Sequence, residues 1–263
     1  MKLLKTILKS IDVAFSIYSK IPMPKFEWAS DDMKYHLCFF PWVGAVIAVL
    51  EWGLFCLFQG GFVNAVFYAL LAFVIPLLVT GGFHVDGFMD TMDALHSYQP
   101  REKKLEILKD PHIGAFAVIS LLVYALLALA FISEINGKEA VIVVISFFFI
   151  SRALSGIAVT CFPKAKKDGM LSAASANEDK KIVLICLLLQ LAGAVIFMFF
   201  ASSLKMLYGV SALAAVLLLF VWFYFMSRRE FGGVTGDLCG FFVAVAELAA
   251  LAAVSVCCIF FQA

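Results

Sequence analysis

Long apolar segments separated by short polar connections are the main pattern along this chain of 263 residues. Each segment has about twenty residues, the length at which an α-helix crosses the hydrocarbon core of a bilayer. The segments lack the alternation that is typical of a membrane β-barrel. The pattern predicts an all-α, polytopic transmembrane helix bundle of about seven spans. The predicted spans are residues 37–58, 62–82, 113–134, 139–162, 181–202, 206–227 and 238–261.

The N-terminal segment has a different pattern from the spans. In MKLLKTILKSIDVAFSIYSK, lysines interrupt the apolar residues and no small-residue cleavage site follows. Lys2, Lys5 and Lys9 fall on one side of a helical projection, which predicts an amphipathic helix lying at the membrane surface. Within the second span, Pro76 is expected to kink the helix. We expect residues 1–263 to form a single integral membrane domain.

Positive charges are distributed very unevenly between the two sets of connecting loops. Seventeen of the 20 Lys and Arg residues fall on the N-terminal side, only Lys138 and Lys205 fall on the other, and Arg152 lies within a span. The positive-inside rule therefore predicts a cytoplasmic N-terminus and an outer C-terminus in the cytoplasmic membrane of a bacterium or archaeon. It also predicts that loops 83–112, 163–180 and 228–237 form a cytoplasmic active-site face.

Composition narrows the class of protein further. The chain is 63% hydrophobic and only 15% charged, which is too apolar for a soluble domain of this length. Its net charge of +1 gives no reason to expect a nucleic-acid partner, whereas membrane lipid is an expected one and a homo-oligomer is left open. The seven cysteines lie mostly in apolar segments without a CxxC pair, so we expect no disulfide framework.

Three aspartates at the end of the second span are the main candidate for chemistry. In GGFHVDGFMDTMDALH, a continuous helix places Asp90 about 40° and Asp93 about −20° from Asp86, on one face. Carboxylates this close repel one another unless a cation neutralises them. Mg²⁺ prefers oxygen ligands and commonly bridges carboxylates to substrate phosphates. The spacing predicts a Mg²⁺–diphosphate site, and a solvated acidic turn is the alternative.

The next loop, REKKLEILKDPHIG, supplies candidate phosphate-binding cations. Arg101 and Lys109 are the phosphate-binding candidates, whereas Lys103 and Lys104 equally fit an interfacial helix that meets anionic lipid. Asp110 is either a further metal ligand or the N-cap of the third span.

Charged residues within two later spans form a second group of candidates. Arg152 and Glu247 lie deep in their spans, where ionisable groups normally face a partner or a cavity. Arg152 could bind phosphate or pair with Glu247. In GGVTGDLCG, Gly236 and Asp237 stand at the start of the last span, so Gly236 is a candidate anion site and Asp237 a candidate metal ligand or helix cap.

Taken together, these segments resemble the cobalamin synthase family. The resemblance is carried by GGFHVDGFMDTMDAL, REKKLEILKDPHIGAF, SRALSG at 151–156 and GGVTGDLCG followed by Glu247, with IPMP and FFPWVGAVIA near the start. It covers nearly the whole chain in order. The departures are Ala94, where the family usually has glycine, and Pro111 and His112, where it usually has serine and arginine.

The resemblance implies a Mg²⁺-dependent phosphoryl transfer. A hydroxyl of α-ribazole, or of its 5′-phosphate, attacks the corrinoid-side phosphorus of adenosylcobinamide-GDP. GMP leaves, and adenosylcobalamin or its 5′-phosphate is formed, which is the last step of nucleotide-loop assembly in vitamin B12 biosynthesis. Asp86, Asp90 and Asp93 would hold the metal, while one aspartate or Glu247 would accept the hydroxyl proton.

Two other classes of function share parts of this pattern. CDP-alcohol phosphotransferases and membrane prenyltransferases also use aspartate arrays on diphosphates, but their motifs differ from the sequence around Asp86. A cation transporter would place acidic residues near the bilayer midplane on several helices, whereas the aspartates here cluster at one end. Metal uptake without turnover would favour the transporter.

Overall fold

The computed structural model describes residues 2–24, 30–135, 137–165, 178–202 and 206–261. Most of the predicted loop 163–180, with Lys166 and Lys167, lies outside the described residues, as do Lys25 and Lys205. The described part of the chain is helical, apart from one isolated parallel bridge between Lys164 and Val234. The all-α prediction is therefore confirmed.

Ten α-helices and one 3₁₀ helix follow one another along the described residues. Helix α1 is followed by the 3₁₀ helix, and α5 is a short helix between the long ones. The bounds are α1 Lys2–Tyr18, the 3₁₀ helix Ser30–Phe39, α2 Phe40–Gln59, α3 Ala65–Thr80, α4 Phe83–His96, α5 Arg101–Ile107, α6 Ala115–Ser133, α7 Lys138–Cys161, α8 Lys180–Ala201, α9 Met206–Phe231 and α10 Gly236–Phe260.

Six of the predicted spans correspond to helices that are long and apolar enough to cross a membrane. Helices α7 and α10 are the most buried of these and form the centre of the bundle, whereas α6 and α8 expose most of their surface. That exposed surface is apolar, as expected for side chains that contact lipid. Helix α1 buries Val13 and Ala14 and leaves Leu4 and Leu8 more than half exposed, which fits its predicted amphipathic character.

The second predicted span, 62–82, differs from the others. Helix α3 has 16 residues and rises only about 24 Å, which is less than the hydrocarbon core of a bilayer. Helix α4 follows at 94° to α3, and only the two helices together are long and apolar enough to cross a membrane. Helix α3 runs on through Pro76, and the chain turns instead at Gly81 and Gly82. Both glycines have the positive φ angles (65° and 78°) that side chains with a Cβ rarely adopt.

Several helix ends meet at one end of the bundle, next to α4. Helix α4 packs against α10 and α6, and α5 packs against α4 and α9. Lys104 of α5 forms an ion pair with Glu230 of α9, at 2.5 Å between Nζ and Oε2. The bridge between Lys164 and Val234 joins the end of α7 to the turn before α10. The segments that the sequence assigns to one face thus lie together in space, apart from the part of 163–180 that is not described.

Candidate active site

The aspartate stripe forms as the sequence predicts, because α4 is continuous from Phe83 to His96. Asp86 is exposed, while Asp90 and Asp93 are partly buried. On the opposite side of the helix, His84 and Phe88 are buried in the bundle. One face of α4 therefore anchors the helix and the other presents three carboxylates.

A fourth carboxylate, that of Asp237, comes to the stripe from α10. Thr235 rather than Asp237 caps this helix, since its hydroxyl accepts a hydrogen bond from the Leu238 amide at 3.2 Å. The backbones of the two helices touch at Gly87, where an added Cβ would lie only 2.5 Å from the Asp237 carbonyl oxygen. Gly87 thus permits the close approach that brings Asp237 beside the stripe.

The electrostatics of Asp90 reflect its burial and the carboxylates around it. Partial burial raises the pKa of Asp90, and the negative charges of Asp86, Asp237 and Asp93 raise it further, to about 6. Mutual repulsion of this kind is relieved by protonation or by a bound cation. The four carboxylates form one electrostatic unit, which we call the aspartate cluster (Asp86, Asp90, Asp93 and Asp237).

The chemistry of the aspartate cluster fits Mg²⁺, although no ready-made cage exists. Among the described residues, no three His, Cys, Asp or Glu side chains are arranged as a ligand set for a metal ion. Mg²⁺ does not need one, because it usually keeps several waters and binds through one or two carboxylates plus substrate phosphates. The Asp93 carboxylate lies directly against Gly114, at the start of α6, so it also faces the positive end of that helix.

The other predicted ligands and cations lie in varied surroundings. The Asp110 carboxylate is half exposed, and its Oδ1 lies at hydrogen-bonding distance, 2.6 Å, from His112 Nδ1. Arg101 donates hydrogen bonds to the carbonyl oxygens of Arg228 and Arg229, at 3.2 and 3.3 Å. It thereby caps the C-terminal end of α9. Lys109 is exposed, as its predicted role requires. At Gly236 an added Cβ would meet no atom within 4 Å, so the space beside Gly236 is open.

Arg152 and Glu247 form an ion pair inside the bundle, as the sequence suggested. The Arg152 Nη1 lies 2.6 Å from Glu247 Oε1 and also donates to the Phe148 carbonyl oxygen. The Ser151 hydroxyl donates to the same Glu247 oxygen at 3.0 Å. Ten residues of helix separate Glu247 from Asp237, a rise of about 15 Å. The structure thus brings Arg152 and Glu247 to each other rather than to the aspartate cluster.

Two features of this region were not identified from the sequence. The ion pair of Lys104 and Glu230 joins residues 126 positions apart, and no spacing rule identifies such partners. His84 stands two residues before Asp86 and resembles an ordinary boundary residue, yet it is 95% buried against Phe40 and α10. Only the burial of the opposite face of α4, which follows from the stripe itself, could have indicated it.

Comparison with known proteins identifies the family of the chain. A profile described as cobalamin-5-phosphate synthase matches residues 10–255. A protein of Lachnoclostridium phytofermentans named adenosylcobinamide-GDP ribazoletransferase is 43% identical over 247 residues, with 92% of each chain covered. Proteins of the same name from Clostridium perfringens strain SM101 and Clostridioides difficile strain 630 are 30% and 26% identical, covering 93% and 92% of this chain and 96% and 95% of theirs. No solved structure matches the chain. This integral membrane protein therefore belongs to the cobalamin-5-phosphate synthase family of transferase enzymes.

Proposed function

We propose that this protein transfers the adenosylcobinamide phosphoryl group from adenosylcobinamide-GDP to α-ribazole or its 5′-phosphate. The acceptor hydroxyl oxygen bonds to the corrinoid-side phosphorus, the bond to the GMP phosphate breaks, and the hydroxyl proton is released. The products are GMP and adenosylcobalamin or its 5′-phosphate. The name of the relatives, adenosylcobinamide-GDP ribazoletransferase, supports the donor substrate. The observation that carries the proposal is the aspartate cluster at one end of the bundle.

The aspartate cluster is suited to a diphosphate substrate and Mg²⁺. The ion would be held by Asp86, Asp90 and Asp237. Asp93 lies beside these ligands, where α4 meets the start of α6, and Asp110 on the following loop is a further candidate ligand. Bound Mg²⁺ would neutralise charge on the diphosphate, which is most of what phosphoryl transfer requires. The backbone amides at the first turn of α10, open at Gly236, would face a phosphate oxygen.

The cations have separate roles in this proposal. Exposed Lys109 is free to reach the departing GMP phosphate, whereas Arg101 is already bonded to the end of α9 and would have to leave it. Arg152 is held by Glu247 about 15 Å along α10 from Asp237. This pairing favours the aspartate cluster over Glu247 as the acceptor of the hydroxyl proton.

We also propose that the end carrying the aspartate cluster faces the cytoplasm and that the C-terminus lies outside. The support is the seventeen Lys and Arg residues on that side of the spans against two on the other. Water-soluble substrates would then reach the cluster without crossing the membrane. Two reporter enzymes fused to the C-terminus test this topology. We expect activity from a reporter that works only outside the cytoplasm, and no activity from a reporter that works only inside it.

Turnover by the purified chain in liposomes tests the proposed reaction. Adenosylcobinamide-GDP, α-ribazole 5′-phosphate and Mg²⁺ are supplied, and both GMP and the corrinoid product are followed by chromatography. We expect release of GMP that needs both substrates and Mg²⁺ and that falls at least about 100-fold in D90N. The control is E102Q, which removes an exposed carboxylate on α5 and should retain activity. Turnover of CDP-alcohol or prenyl diphosphate substrates instead would contradict the proposal.

A further inference from the structure

A cavity lined in part by ionisable side chains lies within the bundle, on the far side of α4 from the aspartate stripe. Its volume is about 100 Å³, and it is lined by α2, α3, α4, α6, α7 and α10. Most of its wall is apolar, but Glu51, His84, Arg152 and Glu247 all contribute to it. Charged and polar side chains from four helices thus converge on one space between membrane-spanning segments, and burying them there is costly unless their hydrogen bonds are satisfied.

Three buried polar atoms at this cavity have no hydrogen-bond partner within the described residues. They are Glu51 Oε1, His84 Nε2 and Arg152 Nε. The three residues are 5%, 5% and 1% exposed, so bulk solvent does not reach them. Polar atoms left unpaired in an apolar interior carry a large desolvation penalty, and native structures satisfy nearly all of them. The cavity must therefore hold something that both donates and accepts hydrogen bonds.

We infer that this cavity holds ordered water molecules that link Glu51, His84 and Arg152, and that this network positions α4. The inference rests on the proposed function, because it makes His84 a positioning residue for the aspartate cluster. Water suits these three atoms because an ordered water molecule needs two to four polar partners, which they can supply. A water molecule can also accept from the Arg152 Nε–H while it donates to the Glu51 carboxylate.

The geometry of α4 explains why such a network would matter. His84 and Asp86 point to opposite faces, about 160° apart around the helix axis. The connection to α3 is the glycine pair Gly81–Gly82, whose backbone allows more conformations than other residues would. The orientation of the aspartates is then set by contacts on the buried face, where His84 stacks on Phe40 at 5.7 Å between ring centroids. Hydrogen bonds from His84 into the cavity would fix the rotation of α4.

Hydrogen–deuterium exchange of α4 amides in the full-length protein, with Mg²⁺-dependent turnover, tests the inference. We expect H84A to speed exchange along α4 at least about tenfold and to raise the Mg²⁺ concentration for half-maximal turnover about tenfold, with a smaller change in kcat. H84Q places an amide close to Nε2 and should restore both. H96A is the matched control on the same helix, where His96 stacks on Phe116 outside the cavity, and its effect should stay within the last turn.

Variants of Glu51 provide an independent arm in case H84A fails to fold. E51Q keeps hydrogen bonding to the cavity and should leave α4 exchange unchanged, whereas E51L should speed it. The inference is overturned if H84A and E51L leave α4 exchange at the wild-type rate. It is also overturned if H84L, which is of similar size but has no hydrogen-bonding group, keeps α4 as protected as H84Q does. Faster α4 exchange in H84A, with wild-type turnover independent of Mg²⁺, would support the inference and contradict the metal in the proposed function.

Discussion

Removing one partner of the Arg152–Glu247 ion pair should destabilise the protein far more than removing both. Arg152 is 1% exposed, and the Glu247 side chain is 15% exposed, so each charge depends on the other for its compensation. In R152M, Glu247 keeps only the Ser151 hydroxyl as a donor. In E247Q, the guanidinium keeps the Phe148 carbonyl but loses its counter-ion.

The expected size of the effect follows from this burial. Leaving one buried charge unpaired costs about 3–5 kcal/mol, whereas replacing a buried pair by neutral groups is often nearly neutral. For a chain of this size, such a loss lowers the unfolding temperature by about 6–20 °C. The R152M/E247Q double variant should recover much of it, so that its loss of stability is smaller than that of either single variant and far below their sum. S151A, which removes only one hydrogen bond, should cost about 1 kcal/mol.

The assay is reversible unfolding in detergent, measured for the wild type, both single variants, the double variant and S151A. Turnover of the same preparations then separates structure from catalysis. A double variant that is both stable and active would show that neither residue takes part in the reaction. A stable but inactive one would support the predicted catalytic role of Glu247 or the phosphate-binding role of Arg152. The reasoning about the pair fails if the double variant loses as much stability as the two single variants added together.

Three further predictions concern the aspartate cluster and its neighbours. Because the folded-state pKa of Asp90 is about 6 and the unfolded value about 3.9, the metal-free fold should lose stability as pH rises between these values. D90N should therefore raise metal-free stability at pH 8 by about 1 kcal/mol, allowing for solvent screening, and should abolish stabilisation by Mg²⁺ in a thermal melt. G87A places a Cβ 2.5 Å from the Asp237 carbonyl oxygen and should lower the free energy of unfolding by about 1–3 kcal/mol. The turnover of G87A should also depend less on Mg²⁺. If stability and Mg²⁺ dependence are both unchanged, α4 and α10 can separate freely. R101A should lower stability by about 1 kcal/mol through loss of the bonds to the end of α9, and a large rise in substrate KM at unchanged stability would instead favour phosphate binding.

The sequence by itself determined the features that depend on neighbouring residues. Span lengths follow from local hydropathy, and all seven predicted spans agree with a helix to within four residues at either end, such as 139–162 with Lys138–Cys161. The aspartate stripe follows from helical periodicity, which needs only that α4 be continuous. Family membership likewise came from motifs along the chain, and the match to residues 10–255 confirmed it.

Only the tertiary structure decided which distant groups meet. Hydropathy located the second span but not its 94° bend, because the turn depends on two glycines and on the packing of α4 against α10 rather than on Pro76. Asp237 joins the aspartate cluster because Gly87 lets two backbones approach, and nothing in local hydrophobicity encodes that approach. Arg101 caps the C-terminal end of α9 because the carbonyl oxygens of residues 228 and 229 lie within hydrogen-bonding distance of it after folding. Local pattern specifies helices and their faces, whereas the partners of a polar group depend on the packing of all the helices together.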